Sequence, residues 1–564
     1  MKSVSGATWK SESIYERLIL KKKQDFNISY LLSKIFLDKK YSDEEIQNSL
    51  IIDKDNNITY QNDDFIKASN LFLKCIKSNN KILIFGDYDV DGYSSTYLLY
   101  DFISNLKVHC DYYIPDRFKD GYGPNKNLLK KLINSNKYSL VFFVDCGTNS
   151  YEEINYLEKN GLKIIVIDHH QVYKKNVYKN SVIINPLKNF KKSDHSFFCA
   201  TTLVYFFIKY IIKNLIKENK IDLDKYLFFS AVATICDQMP LRNSNLKIVR
   251  QGLKNFNINK FYNFKKILNL KNKISSTDIG FNLGPILNSS SRLGYPDLAI
   301  KLLIENDNNS INNISEKLIK LNEKRKKIQN ATFNILKNKN KILNNEVIFI
   351  YEENINEGML GIIASNFVDL YTKPSFILTT SNKYIKCSSR SVYGYDIGNI
   401  FNEALNKKII LNGGGHSMAG GCLLEKKKLI DFKNFLNIFY KKMFKNHKNI
   451  KYYISEQNFE SLKSFAKYDL QKLEPLGNNN SNPFFLIKNN KIIKFKILKN
   501  LHLQLIIKNN FNKTCLCLAF NAVGTKLGDI LTNYKKEIDL IVQINNKIIH
   551  KNSDFNLIIK DAIS

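Results

Sequence analysis

Three short apolar runs constrain the fold of this chain more than any other feature. KILIFGDYD (Lys81–Asp89), SLVFFVDCG (Ser139–Gly147) and LKIIVIDHH (Leu162–His170) are each a stretch of β-branched or aromatic residues that ends on aspartate. Apolar side chains at consecutive rather than alternate positions mark strands buried on both faces, as in parallel sheets. Helical stretches, Ser94–Leu106 and Asn125–Ser135, separate the runs. The alternation predicts an α/β fold whose parallel sheet is covered on both sides. In such a sheet the active site forms in the crevice beyond the strand carboxyl ends. All three runs deliver acidic or imidazole groups to that edge.

The chemistry of the edge follows from those residue types. GDYDVDG (Gly86–Gly92) sets Asp87, Asp89 and Asp91 at alternate positions just after a buried strand. Carboxylates this close repel one another unless cations neutralise them. Oxygen ligands with an occasional imidazole suit Mn²⁺ or Mg²⁺ better than a soft-ligand metal. A calcium loop does not fit, because Leu98 stands where a bidentate glutamate is required. Asp145 ends the second run, Asp168, His169 and His170 end the third, and Asp237 follows an apolar helix in TICDQMPL.

Further along, the pattern changes. Residues 1–79 read as helical and polar, and the charged run near 311–344 reads as a connecting helix. A second α/β pattern occupies 345–447 and contains GGGHSMAGG (Gly413–Gly421), expected to open a helix and offer backbone N–H groups to an anion. Residues 448–564 alternate like a small β-barrel, with hairpins expected around Gly477–Asn482 and Lys508–Asn512. The Asn-rich tracts at 306–313 and 478–482 read as loops. A chain of 564 residues exceeds a single core, in keeping with several domains. Its formal charge of +33 favours polyanions, although lysine is spread throughout, as an AT-rich genome would give. Against that lysine background Arg117, Arg292 and Arg390 stand out, since a guanidinium fork matches phosphate. The nine cysteines are scattered without a CxxC pair, which argues against zinc and against a disulfide framework. No apolar run reaches the length of a membrane span, and the expected location is the cytoplasm.

GDYDVDG, VDCG, IDHH and TICDQMPL, in this order, resemble the motifs of the DHH phosphoesterase superfamily and, within it, the RecJ family of bacterial exonucleases. IPDRFKDGYG, NPL, GFNLGPILNSSSRLG, GIIAS, SSRS and GGGHSMAGG continue the likeness over nearly the whole chain. The resemblance implies a DHH catalytic domain at 80–310, a DHH-associated domain at 345–447 and an oligonucleotide-binding (OB) barrel at 448–564. It implies two ions, Mn²⁺ or Mg²⁺, on Asp87, Asp89, Asp91, Asp145, His169 and Asp237, with Asp145 shared and two of the three clustered aspartates ligating directly. His170 would assist at the phosphate. Arg117, Ser388 and Arg390 would hold a 5′-phosphate, Arg292 the strand, and Gly414, Gly415 and His416 would lie near the scissile bond. The implied activity is 5′→3′ hydrolysis of single-stranded DNA to mononucleotides by a monomer, in recombination and repair, with a helicase and a single-strand-binding protein as partners. The alternatives are a phosphodiesterase of short oligonucleotides or cyclic dinucleotides, and a non-catalytic nucleic-acid scaffold. Two departures stand out: Ile355-Asn356 replaces a Trp-His pair before Gly358, and a short turn is lengthened into GNNNSNP (Gly477–Pro483).

Overall fold

The computed structural model describes residues 3–51, 58, 60, 63–77, 81–135, 137–172, 180–188, 194–216, 221–269, 273–338, 346–444, 450–533, 536–545 and 555–563. The chain forms two compact units. One comprises 59–237 and 255–447; the other comprises Met1–Ile58, Gln238–Lys254 and Lys448–Ser564.

The first unit contains the three apolar runs. They form strands Lys81–Phe85, Tyr138–Val144 and Lys163–Ile167, flanked by Cys110–Tyr113 and Ser181–Ile184. The sheet order is Cys110–Tyr113, Lys81–Phe85, Tyr138–Val144, Lys163–Ile167, Ser181–Ile184, and every pair is parallel. The central strands are largely buried, as their composition predicts. Helix Val90–Asn105 follows the first strand at once and packs on helices Ala200–Ile211 and Leu223–Cys236. Gly92 makes that abrupt entry feasible, because a Cβ there would lie 2.3 Å from the Asp87 carbonyl oxygen.

Helix Asn308–Asn338 leads to the second sheet of this unit. The Asn-rich tract expected as a loop is therefore the first turn of a helix. Asp307 caps it by accepting from the Ser310 N–H at 2.8 Å, and the apolar spacing Ile311, Leu318, Leu321 buries one face. The expected end of the connector, near 344, lies outside the described residues. The second sheet has the order Asn412–Gly415, Ala419–Leu424, Tyr384–Arg390, Ser375–Ser381, Ile348–Tyr351, antiparallel except for its last pair. GGGHSMAGG is thus a hairpin and not a helix start. Gly413 pairs with Cys422 and Gly415 with Gly420, and the lack of side chains lets the strands and neighbouring Ile397 and Phe401 approach closely.

The second unit is built on a closed barrel of Phe485–Leu498, His502–Lys508, Thr514–Ala519, Asn556–Ile563 and Ile538–Ile544, in that order. Its core is continuous with Leu32, Ile35 and Phe36 of the amino-terminal helices. Strand Thr8–Lys10 pairs in parallel with Ile450–Tyr452, and buried Asp561 accepts from Ser3 Oγ and Trp9 Nε1 at 2.6 and 2.7 Å. Helix Asn243–Lys254 belongs here too. Arg250 donates to the carbonyls of Ser49, Lys472 and Glu474 at 2.6–2.8 Å. The lengthened GNNNSNP turn fastens the same segment, for Asn478 O accepts from Leu241 N at 2.9 Å and Asn478 Nδ2 donates to Gln238 O. Among the described residues no helix is long and apolar enough to cross a membrane.

Candidate active site

Each strand of the parallel sheet that ends on aspartate contributes to one acidic cluster. After Phe85 the chain turns into helix Val90–Asn105, whose N-cap is Asp89. The Asp89 carboxylate accepts from the Asp91 and Gly92 N–H groups at 3.0 and 3.1 Å. Asp91 lies in the first turn, buried, and is held by a second helix start. Its oxygens accept from Ala200 N and Thr201 N, both at 2.8 Å, and from Thr201 Oγ1 at 2.6 Å. Asp87 is buried and, among the described residues, accepts from Tyr88 N alone, at 2.8 Å. Of the three clustered aspartates, Asp91 therefore has its charge best satisfied by the fold itself.

Asp145 ends its strand with φ at 59°, a left-handed conformation that turns the carboxylate to the sheet edge. Its Oδ1 is buried without a hydrogen-bond partner, while His169 Nε2 stands 3.2 Å away without the alignment of a hydrogen bond. The same Nε2 lies 3.6 Å from Asp91 Oδ2 and 3.5 Å from Asp237 Oδ2. Three groups of donors each lie within 4.8 Å of one another: Asp87, Asp89 and Asp145; Asp91, His169 and Asp237; and Asp145, His169 and His170. All six expected ligands converge.

The electrostatics show what the cluster lacks. Burial, then the charges of Asp91, Asp89, Asp87 and Asp237, hold the Asp145 carboxyl far above the usual carboxylate range. Burial and Asp89 push Asp87 up to about 8, and burial with Asp91 and Asp89 raises Asp237 strongly. Without a cation these groups favour protons. An orphaned buried oxygen, carboxylates that resist ionisation and an imidazole within 3.6 Å of Asp91, Asp145 and Asp237 form a donor set that fits hard divalent cations.

Asp168 plays a different part. Burial disfavours its charge, but His170 and the Thr148 N–H outweigh that and hold it well below the usual range. Asp168 Oδ1 accepts from His170 Nδ1 at 2.7 Å. Burial opposes protonation of His170, yet Asp168 overrides it and the imidazole titrates at about 10. The His170 Nε2 meets the Tyr122 hydroxyl at 3.1 Å, and Asn185 Nδ2 donates to His170 O and Thr148 Oγ1, both at 2.9 Å. His416, at the tip of the glycine hairpin, stacks on His170 with ring centroids 6.1 Å apart.

A cationic cluster accompanies the acidic one. Arg117 stacks over Tyr88 at 4.1 Å, and its Nε is buried without a partner. Arg292 donates to Gly358 O at 2.8 Å. Burial, then the charges of Arg117, Arg390 and Arg325, lower its pKa to about 9. Ser388 and Arg390, two apart on one strand, crowd the same glycine: a Cβ on Gly361 would lie 3.0 Å from Ser388 Oγ and 3.1 Å from Arg390 Nη2. The hydrogen bonds of Arg292, Arg325 and Arg390 go to carbonyl and amide oxygens. Among the described residues these guanidiniums have no carboxylate acceptor, which leaves donors for an anion such as phosphate. Sequence reasoning missed Arg325, which is hidden in the basic run EKRKK, and Thr148 and Thr201, which act through backbone or hydroxyl groups. Tyr122 and Asn185 lay within quoted motifs but were not singled out. In the Ile355-Asn356 departure, Asn356 Oδ1 accepts from Gly358 N at 2.9 Å, shaping the turn that meets Arg292.

Comparison with known proteins finds matches along most of the chain. The family model of the DHH family, N-terminal domain, matches residues 81–234, the DHHA1 domain 342–442 and the RecJ OB domain 455–561. The single-stranded-DNA-specific exonuclease RecJ of Bacillus subtilis is 26% identical over 478 residues, 81% of this chain and 58% of its own length. That of Haemophilus influenzae is 26% identical over 427 residues, 71% of this chain and 74% of the relative. RecJ from Thermus thermophilus, crystallised in complex with Mn²⁺, shares the fold with a TM-score of 0.81 at 19% identity, covering 99% of this chain and 80% of that one.

Proposed function

The chain belongs to the RecJ branch of the DHH phosphoesterase superfamily, and from that premise we propose that it is a metal-dependent exonuclease that degrades single-stranded DNA from the 5′ end. The observation that carries the reading is the pairing of two opposite clusters in one unit. One is a set of carboxylates and an imidazole with the orphaned oxygen of Asp145 at its centre; the other is a set of buried guanidiniums short of an anion.

Asp87, Asp89, Asp145, His169 and Asp237 would hold two divalent cations, Mn²⁺ or Mg²⁺, with Asp91 contributing through the oxygen that faces His169. Bound there, the cations neutralise the carboxylates and supply Lewis acidity toward water and the scissile phosphate. The rest of the work falls to the chain's own groups. Arg117, Ser388 and Arg390 hold the terminal 5′-phosphate, and Arg292 the strand beside it. His170, protonated and oriented by Asp168, presents its Nε2–H to a phosphate oxygen. His416 and the Gly414–Gly415 hairpin cover the reacting group from the second sheet. No nucleophilic cysteine is called for, and Cys146 is a buried core residue. A closed barrel and a terminal-phosphate cradle suit a strand better than a dinucleotide, and the full ligand set argues against a scaffold. Action as a monomer in recombination and repair, in a bacterial cytoplasm with a helicase and a single-strand-binding protein, belongs to the same proposal.

The test uses purified protein with Mn²⁺ and DNA labelled at either end, single-stranded or duplex, with and without a 5′-phosphate. Mononucleotides released first from the 5′ end of the single strand are the expected result. Cleavage of only the shortest oligonucleotides, or binding without cleavage, would overturn the proposal.

A further inference from the structure

The segment gripped by the lengthened turn Gly477–Pro483 begins one residue after Asp237. Helix Leu223–Cys236 ends on Asp237, whose N–H still donates to Ala233 O at 2.9 Å. Gln238 then takes φ of 53°. A left-handed step just past a helix end ordinarily falls to glycine, because a Cβ is strained there. A glutamine in that conformation needs outside support.

Asn478 supplies it. Its Nδ2 donates to the Gln238 carbonyl, and its own carbonyl accepts from Leu241 N at 2.9 Å. One residue of the turn thus pins both ends of 238–241. Gly477 lies against Leu241, where a Cβ would stand 2.6 Å from Leu241 Cδ1. The turn is itself braced. Gly477 N donates to Asn480 O at 3.0 Å, and Asn480 N to Gly477 O at 3.1 Å. Buried Asn480 donates to Leu473 O and Pro475 O at 2.6 and 3.1 Å and accepts from Lys39 Nζ at 3.2 Å. The asparagine-rich turn is a stiff anchor, with Asn478 at its exposed end.

Asp237 is the member of the acidic cluster that such an anchor can govern. Asp89 and Asp91 are oriented by backbone N–H groups at helix starts. Among the described residues the Asp237 carboxylate accepts from no such group, and its Oδ2 lies 3.5 Å from His169 Nε2. Where it points follows from the backbone that carries it, set upstream by the helix and downstream by Gln238. We propose that Asn478 is a positioning residue for the metal centre: by holding Gln238 left-handed, it sets Asp237 for its cation. The inference rests on the proposed role of Asp237 as a metal ligand.

The test uses full-length protein, with free Mn²⁺ counted by electron paramagnetic resonance. Asn478→Ala removes the side-chain donor at an exposed position and leaves the backbone bond to Leu241 in place. Mn²⁺ binding should weaken about three- to tenfold, the worth of one hydrogen bond, while Tm in EDTA changes little. Turnover should fall at limiting Mn²⁺ and recover at saturating Mn²⁺. Adding Gln238→Gly should restore the affinity, because glycine adopts the left-handed conformation without support. Unchanged Mn²⁺ binding in Asn478→Ala, or a loss that Gln238→Gly does not rescue, would overturn the inference. If the wild type binds Mn²⁺ and degrades single strands while Asn478→Ala binds the ion equally well, the positioning role alone fails. A wild type that takes up no Mn²⁺ removes the positioning role and the metal-dependent reading together.

Discussion

At Asp145 a non-glycine residue holds a left-handed backbone, which costs roughly 1–2 kcal/mol, and places a carboxylate where its neighbours resist its charge. Asp87, Asp145 and Asp237 all have folded-state pKa values raised above the unfolded range, Asp87 to about 8. The folded metal-free protein therefore binds more protons than the unfolded chain. Its stability falls as pH rises from the usual carboxylate range toward about 8. Metal binding at neutral pH should release protons and reverse that loss. Calorimetric titration with Mn²⁺ in buffers of different ionisation enthalpy checks this, and a buffer-independent enthalpy would refute it. Asp145→Ala should abolish hydrolysis while leaving single-strand binding in EDTA largely intact; full activity in that variant would remove the two-metal assignment. His170→Ala should lower kcat by about 10²–10⁴-fold with little change in metal affinity, as expected of a group that donates to the phosphate. The residues of the acidic cluster were legible because charge at a strand end has few structural uses. Thr148, Thr201 and Asn185 were not, since each acts through hydrogen bonds that only the folded backbone defines.

Elements set the distances between these residues, and glycines set how closely the elements approach. A Cβ on Gly358 would stand 2.5 Å from Arg292 O and 2.9 Å from its Cα. Gly358→Ala should therefore displace Arg292, raising KM for 5′-phosphorylated strands by about tenfold while kcat on saturating substrate changes less. Steady-state kinetics on phosphorylated and unphosphorylated strands separate the two; equal loss on both would mean a general packing defect. Strand-to-helix alternation was readable here because buried parallel strands need unbroken apolar runs. Two local readings went astray for physical reasons. GGGHSMAGG carries almost no side-chain pattern, so nothing in it distinguishes a helix start from a hairpin. Asn308–Asn313 has loop composition, but the cap from Asp307 and burial of Ile311 outweigh the modest helix propensity of asparagine.

Across the whole molecule, the barrel unit is assembled from three separated stretches of chain. Helix Asn243–Lys254 buries Leu246, Ile248 and Val249 within the fold, and Arg250 directs its donors to carbonyls of the other two stretches. No local pattern announces such membership, because nothing in residues 238–254 specifies partners two hundred residues away. A chain ending at 447 should lose the barrel core that covers Leu32, Ile35 and Phe36, and should bind a hydrophobic dye or aggregate on purification. A monomeric, dye-silent 1–447 with an unchanged Tm would contradict this.

The excursion that begins immediately after Asp237 also bears on how the protein is made. Synthesis runs from the amino terminus, so the Met1–Ile58 and Gln238–Lys254 stretches emerge well before the barrel strands that complete their core. For that interval their apolar faces have no native partner, whereas the sheet bearing Asp87, Asp145 and His169 draws its five strands from residues 81–184 alone. Translation thus imposes an order, with the parallel sheet able to form early and the barrel unit closing only after its own strands have emerged. Chaperone demand should accordingly peak late, between emergence of residue 254 and completion of the barrel.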